Sequence, residues 1–380
     1  MVRVVLLGSG YVATHLAVGL ERIKAGVVPP YGVPLASYDL PYTINDVEVV
    51  GAYDVDQSKV GRTLYDLGKE VFGINYPVPE VLKGVEVRRG VHLNSTKGLP
   101  INARGIEDGR PLKEAVEVLV DEWVKLRPDV IVNVITTEEG YVFNDVDSLR
   151  RAVEGGVGIS ASQAYAYAAA EYSRVSGGAV FINAIPTPIA NSPGIVELFS
   201  ESGGVVLGDD GATGATPLTA DLLEHLAQRN RRVEFVVQFN IGGNTDFLAL
   251  TQPERNKMKE FTKSSMVKDI LGYEIPYYIK PTGYLEPLGD KKYVAMHLEY
   301  VSFNGFRDSI YVNARINDSP ALAGFLVDLV RLGKVALDRG CRGTVYEINA
   351  FFMKKPGPLE SRNIAKVHAY KLLLNWLRGS

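Results

Sequence analysis

Cysteine is all but missing from this chain: one thiol, Cys341, stands among 380 residues. A lone cysteine closes no internal disulfide, which excludes a stapled secreted scaffold and agrees with a reducing compartment. An excess of basic residues is missing too. Lysine and arginine total 41 against 44 acids, a net charge of -3, and nothing basic clusters on the scale that a phosphate backbone demands. Nucleic acid is therefore not an expected partner. Long apolar runs are also lacking. The opening "MVRVVLLGSG" breaks off in glycine, too soon for a signal sequence or a membrane span. The expectation is a cytoplasmic globular protein with no membrane partner, no repeat and no low-complexity segment. What is present is apolar content: 46% of residues are hydrophobic, enough for a sizeable core and two domains.

The most legible stretch is "VRVVLLGSGYVATHLAVGLERI". Its apolar run reads as a buried parallel strand. Gly8, Gly10, Tyr11 and Val12 then open a helical pattern through Leu16, Leu20 and Ile23. This is a GxGxx(G/A) dinucleotide loop in strand–turn–helix setting, with glycines that let backbone approach a pyrophosphate at the helix end. A second strand, "DVEVVGAYDVD", ends in Asp54, the acid type that accepts a hydrogen bond from an adenosine ribose; the alternative is a strand-end turn cap. About twenty residues normally separate such glycines from the acid, and here the gap is roughly double. The excess, "AGVVPPYGVPLASYDLPYTIN", is rich in Pro, Gly and Tyr and reads as an excursion between helix and strand. An acid at this position favours NAD over NADP, with Arg62 nearby as the counter-indication.

"RPDVIVNVITTEEG" and "GGAVFINAIP" read as further strands, "SASQAYAYAAAEY" as a helix, and "GGVVLGDDGATGATPLTADLLEHLAQ" as strand, polar loop and helix. Such alternation predicts an α/β fold, a Rossmann-type doubly wound parallel sheet with ligands at the carboxyl ends of the strands. Thr136, Thr137, Asn183, Asp209, Asp210 and Thr213 all fall at such ends. After residue 230 alternating runs dominate, and helix returns at "SPALAGFLVDLVRLGKVALDRG". The expected organisation is a nucleotide domain of residues 1–231 plus 316–380, with an inserted α+β domain over 232–315 built on an antiparallel sheet.

That insert opens with "NIGGNTDFLAL". Two glycines free its backbone, and Asn244, Thr245 and Asp246 serve either local capping or a ligand. A helix is expected from Pro253 to about Leu271. At about 100° per residue, Lys259 and Lys263 share a side with Met266, Val267 and Ile270, whereas Lys257, Ser264 and Lys268 face away with Glu254. Two ammonium groups on an apolar side need an anion between them or a lowered pKa. In "LGDKKYVAMHLEY" the period of two puts Lys292 in the row of Val294, Met296 and Leu298. Lys354 directly follows four apolar residues. Ser319 and Pro320 suit the N-cap and first turn of a helix, leaving Asp318 outside it to hold a lysine or a nicotinamide amide. Lysines in apolar settings beside a dinucleotide loop point to phosphosugar carbonyl chemistry.

Together these segments resemble the myo-inositol-1-phosphate synthase family along nearly the whole chain. The resemblance rests on "GSGYVA", "PPYGVPLASYDL", "VVGAYDVDQSKVG", "FINAIP", "LGDDGATGAT", "NIGGNTDFLAL", "KEFTKSSMVKDIL", "LGDKKYVAM", "NDSPALA" and "FFMKKP". The tyrosine- and proline-rich excursion is typical of the shorter prokaryotic-type members, which also lack the asparagine pair of eukaryotic nucleotide loops. Lys355 replaces a small residue, which leaves Lys354 and Lys355 both in play. The resemblance implies conversion of D-glucose 6-phosphate to 1D-myo-inositol 3-phosphate, the first step of inositol (phospholipid or osmolyte) biosynthesis, by NAD-dependent oxidation, enolisation, intramolecular aldol cyclisation and re-reduction. It implies Lys259, Lys263, Lys292, Lys354 and Asp318 as catalytic residues. Lys259 would act on the C5 hydroxyl proton, and Lys292 and Lys354 near the aldehyde oxygen. NAD would lie on Gly8, Gly10, Tyr11, Val12, Asp54, Thr136, Asp210, Thr213 and Asp246, and the substrate on Gly243, Asn244, Thr245, Ser264 and Ser265. A homotetramer built through the insert is implied as well. A divalent or monovalent cation is a further implication, although no His/Cys/Asp cluster has metal-ligand spacing. The alternatives are a two-domain NAD-dependent dehydrogenase with net oxidation, and a non-catalytic NAD-binding sensor.

Overall fold

The computed structural model describes residues 1–379, with the side chains of residues 258–265 outside the description. Seven strands make one parallel sheet: β1 (Val2–Leu7), β2 (Val47–Asp54), β3 (Val87–Arg89), β4 (Val130–Asn133), β5 (Val180–Asn183), β6 (Val205–Leu207) and, late in the chain, β11 (Gly343–Thr344). Their order is β3-β2-β1-β4-β5-β6-β11, and every neighbouring pair is parallel. The first six follow the doubly wound dinucleotide order, whose switch point lies between β1 and β4. The expected α/β class is the observed one.

Side-chain alternation along β1 explains why both faces are covered. Val2, Val4 and Leu6 pack with the helices Tyr11–Lys24 and Asp318–Asp338. Val5 and Leu7 turn the other way, toward Trp123 of Leu112–Leu126 and the alanines of Ala161–Ser176. A strand buried on both sides must be apolar at every inward position, which "VVLL" provides.

The Pro/Gly/Tyr-rich excursion is held by the helix Asp318–Asp338. Asp328 and Arg331, both fully buried and paired with each other, reach into it. Leu35 N–H donates to Asp328 Oδ2 at 2.6 Å, and Arg331 Nη2 donates to Leu35 O at 3.1 Å. These bonds satisfy buried backbone that has no ladder partner. Contact is close: a Cβ on Gly324 would lie 2.2 Å from Gly32 O.

The second sheet comprises β7 (Arg232–Gly242), β8 (Tyr277–Tyr284), β9 (Lys291–Val301) and β10 (Arg307–Asn317), in the order β10-β9-β7-β8. It is mixed rather than antiparallel. β9 pairs antiparallel with β7 and β10, but β7 and β8 run parallel. The reason is the helix Pro253–Leu271, which carries the chain back to the start of the sheet between them; a parallel pair requires such a crossover. Met266 and Val267 of that helix pack with Val236, Met296 and Leu298 on one sheet face. The other face shows Phe239, Tyr278, Tyr293 and Tyr311 to solvent, with Tyr311 stacked on His297. Among the described residues no helix is long and apolar enough to cross a membrane.

Candidate functional site

At the carboxyl ends of β1, β2 and β4, where the sheet order reverses, lies a cleft of about 410 Å3. It is lined by Gly8, Gly10, Tyr11, Val12, Asp54, Thr136, Asp210, Thr213 and Asp246, and also by Asn244, Thr245, Asp318 and Lys354. Residues drawn from seven separate stretches of sequence thus meet on one wall.

The two glycines of the loop serve different ends, Gly8 for packing against the end of β4 and Gly10 for open backbone at the cleft. Gly8 has φ +89°, and a Cβ there would lie 2.9 Å from Ile135 backbone. Gly10 precedes the helix Tyr11–Lys24 without any side-chain cap or first-turn acid, and a Cβ on it would meet nothing within 4 Å. The first N–H groups of this 14-residue helix are therefore not bonded by a capping side chain, the condition in which a helix end receives an anion.

Asp54 does cap its strand end. Its Oδ1 accepts from the N–H groups of Val55 and Asp56 at 2.7 and 3.0 Å, and its Oδ2 from Ser9 N–H at 2.8 Å. The acid thereby ties the glycine loop to β2 while still facing the cleft. Arg62 points elsewhere, to Glu70 at 2.7 Å. The cation beside Asp54 is Lys59, 3.2 Å away and on the cleft wall. The sequence reading passed over it.

Two lysines are buried in the site, each against an aspartate. Lys292 is 7% exposed, and its Nζ lies 3.2 and 3.1 Å from the two oxygens of Asp318. Lys354 is 6% exposed, with Nζ 3.0 Å from Asp210 Oδ1. Both pairs are organised by one loop, "DDGATG": Asp210 belongs to it, and Thr213 donates from Oγ1 to Asp318 Oδ1 at 3.3 Å. Glycine suits position 214, which has φ +68° and where a Cβ would sit 2.8 Å from Lys292 Nζ. Lys354 rather than Lys355 lines the cleft. Lys292 stands behind Asp318, its Nζ 5.6 Å from the centre of the Phe247 ring.

The "NIGGNTDFLAL" turn serves local structure first. Asn244 caps the short helix Thr245–Ala249 by accepting from Phe247 N–H at 3.1 Å, and its Nδ2 donates to Asp290 Oδ1 at 3.0 Å. Gly243 is not on the cleft wall. Its N–H goes to Gly289 O at 3.0 Å, and a Cβ would lie 2.4 Å from Leu285 O. That glycine packs against the β8–β9 connection. Asp246 accepts from Thr137 Oγ1 at 2.6 Å, which joins the turn to the end of β4. Lys259, Lys263, Ser264 and Ser265 lie outside the described side chains.

Three further residues build the site without having been expected in it. Asp290 accepts from Asn244 Nδ2, from Ser319 Oγ at 2.6 Å and from Ser319 N–H at 3.0 Å. It thus caps the helix that begins at Asp318, so Asp318 falls inside that helix and Ser319 is capped rather than capping. Arg255, 5% exposed, donates to Thr137 O at 2.5 Å and to Ser95 O and Lys97 O at 2.7 and 3.1 Å, pinning the helix Pro253–Leu271 to two cleft walls. Glu138 anchors the segment after Thr137 by accepting from Ser162 N–H and Oγ at 2.7 and 2.6 Å; burial pushes its carboxyl above the usual range.

Metal-ligand spacing is absent from the sequence, yet the loop beyond β3 brings His92 Nε2 to 3.1 Å from Asp108 Oδ1 and 3.5 Å from Glu107 Oε1. His92 Nδ1 accepts from Asn94 N–H at 3.3 Å. These contacts tie the two ends of the loop together.

A family model described as Myo-inositol-1-phosphate synthase matches residues 214–319. The inositol-3-phosphate synthase of Corynebacterium glutamicum is 29% identical over 374 residues, covering 93% of this chain and 93% of that protein. That of Mycobacterium tuberculosis H37Rv is 28% identical over 388 residues, covering 98% and 96%. Among solved structures, a myo-inositol-1-phosphate synthase-related protein from Thermotoga maritima MSB8 is 57% identical with a TM-score of 0.94, covering 100% of this chain and 98% of that one. The inositol-3-phosphate synthase of Caenorhabditis elegans shares the fold, with a TM-score of 0.82 at 17% identity, covering 99% and 85%.

Proposed function

The chain belongs to the myo-inositol-1-phosphate synthase family, and on that premise we propose that it is an inositol-3-phosphate synthase converting D-glucose 6-phosphate to 1D-myo-inositol 3-phosphate with NAD as resident cofactor. The observation that carries this reading is the pair of buried lysines, Lys292 and Lys354, which one loop organises beside a dinucleotide-type glycine turn. An oxidising site alone needs no such arrangement. A site that must also steady enolate and aldolate oxygens does.

NAD fits the residues present: Gly10 leaves backbone open to a pyrophosphate, Gly8 lets the loop pack on the end of β4, the helix after them begins uncapped, and Asp54 closes the adjoining strand. When bound, NAD supplies a hydride acceptor that gives the hydride back, so the net change is an isomerisation. The protein's own residues do the rest. The Lys292 and Lys354 ammonium groups offset negative charge as it develops on substrate oxygens, electrostatic work of about 3 kcal/mol per donor. Asp318 and Asp210 hold those ammonium groups in place beforehand, so that little reorganisation is left for the reaction itself. Thr245, exposed at the rim, and Asn244 offer polar groups to the phosphate end, while Asp246 sits between Thr137 and the cleft. Lys259 and Lys263 complete the catalytic set, and Ser264 and Ser265 the substrate-binding set, as the family resemblance implies. The working form is a homotetramer that covers the aromatic face of the second sheet, in the cytoplasm.

The test is a product assay with glucose 6-phosphate and catalytic NAD+, with and without chelator. Inositol phosphate without net NADH is the expected result, and the chelator arm reports any divalent cation. Accumulation of NADH in step with substrate loss would overturn the reading in favour of a dehydrogenase.

A further inference from the structure

We propose that Lys366 is a positioning residue for this reaction, its buried amine fixing the backbone from which Lys354 enters the cleft. The inference rests on the reading of Lys354 as a catalytic lysine.

Lys366 opens the helix Lys366–Arg378, ten residues after "FFMKKP", and is 6% exposed. Its Nζ donates to Ala350 O at 2.6 Å and to Met353 O at 2.8 Å. Those carbonyls end the helix Tyr346–Phe352, and Met353 is the chain neighbour of Lys354. The opposite side of the same short segment lies along the "DDGATG" loop. Ala212 N–H donates to Phe352 O at 2.7 Å, Gly211 bridges Met353, and Lys354 N–H donates to Asp210 O at 2.6 Å. The segment carrying Lys354 is therefore gripped from both sides: by the aspartate loop toward the cleft, and by the Lys366 amine behind.

A helix of seven residues needs no lysine to end it. Water, a glycine or a hydroxyl caps such carbonyls at less cost than sinking an ammonium, whose lost hydration offsets much of what two bonds and a helix C-terminus return. The cost is visible here. Burial pushes the Lys366 amine down to about 7, with Asp221 favouring its charged form and Lys354 opposing it. Burial, two carbonyl partners and adjacency to Lys354 all point to one task, holding that lysine against Asp210.

A double-mutant cycle tests this. Lys354→Ala, Lys366→Met and the double variant are compared for turnover of glucose 6-phosphate, NAD affinity and thermal midpoint, with Lys366→Gln run in parallel because its amide still donates. Amine-directed labelling of Lys354, read by peptide mass spectrometry, accompanies each variant that retains it. Lys366→Met is expected to lower kcat at least tenfold with NAD affinity within twofold and Lys354 labelling raised severalfold. In the Lys354→Ala background it should change kcat less than threefold. Should the double variant fall below detection, the labelling decides. Equal losses in both backgrounds, unchanged labelling, or failure of both Lys366 variants to fold would each overturn the proposal and leave a structural lysine. If Lys354→Ala itself left turnover within threefold, the catalytic reading of Lys354 would fall first, an outcome distinct from the others.

Discussion

Neighbouring lysines on β9 offer a comparison that geometry makes sharp. Lys291 and Lys292 have the same charge and adjacent positions, but Lys291 is exposed and Lys292 buried. Replacing Lys292 with Met keeps an unbranched apolar side chain and removes the ammonium, whose nitrogen lies 5.6 Å from the centre of the Phe247 ring. Asp318, with 23% of its side chain exposed, then keeps Thr213 as a hydrogen-bond donor and loses a cation 3.1 Å away. Losing a hydrogen bond between charged groups costs about 1–3 kcal/mol of stability, less than a fully buried orphan because Asp318 retains water. The effect on chemistry is larger. If Lys292 offsets oxyanion charge worth about 3 kcal/mol, turnover should fall by roughly a hundredfold, since about 1.4 kcal/mol is a factor of ten. Lys291→Met should leave turnover within threefold and stability within about 0.5 kcal/mol. The assays are inositol phosphate formation under saturating NAD and urea unfolding. Equal behaviour of the two variants would refute the assignment, as would a Lys292→Met enzyme that loses stability but not turnover.

Four more outcomes are expected. Asp54→Ala should weaken NAD binding by about 1–3 kcal/mol in titration calorimetry, and unchanged affinity would remove the acid from the site. Lys259→Ala and Lys263→Ala should each lower turnover at least a hundredfold while Lys257→Ala and Lys268→Ala change it less than threefold; four similar results would make that helix an ordinary solvated surface. Gly324→Ala should cost about 1–3 kcal/mol in chemical denaturation, the scale of forced overpacking, because its Cβ would lie 2.2 Å from Gly32 O; a neutral result would mean the excursion moves freely. Light scattering at micromolar concentration should report a tetramer, since the face bearing Phe239, Tyr278, Tyr293 and Tyr311 is uncovered in the single chain, and a monomer would contradict it.

Local pattern was a sound guide wherever one element decides its own form. The strand before Gly8, the helix Pro253–Leu271 and the inward row of Lys292, Val294, Met296 and Leu298 all follow from period and punctuation. Pattern failed where partners are remote. β3 and β11, three and two residues long, carry no period at all and exist because a neighbour strand offers them bonds. The parallel pairing of β7 with β8 depends on a helix between them, and alternation alone is blind to strand direction. The packing of Gly243 against a turn more than forty residues later is likewise invisible to local pattern.

The same divide explains how the lysines were read. Periodicity identified Lys292 as inward-facing, and burial of an ammonium then demands a compensating acid. Asp318, free to hold a lysine, is the acid the sequence offers, and the protein pairs it with Lys292; Lys354, for which the sequence names no acid, pairs with Asp210. A further step was open from residues alone. Inward lysines without neighbouring acids in their own elements must find them at the shared rim, and the strand ends offered Asp209 and Asp210 while the last long helix offered Asp318. Asp209 is spent on backbone, accepting from the N–H groups of Ile189, Ala190 and Asn191. That leaves Asp210 and Asp318 for Lys354 and Lys292. Asp210, placed with the cofactor residues by resemblance, takes on a second task through that pairing: any ligand that draws on its carboxylate also acts on Lys354.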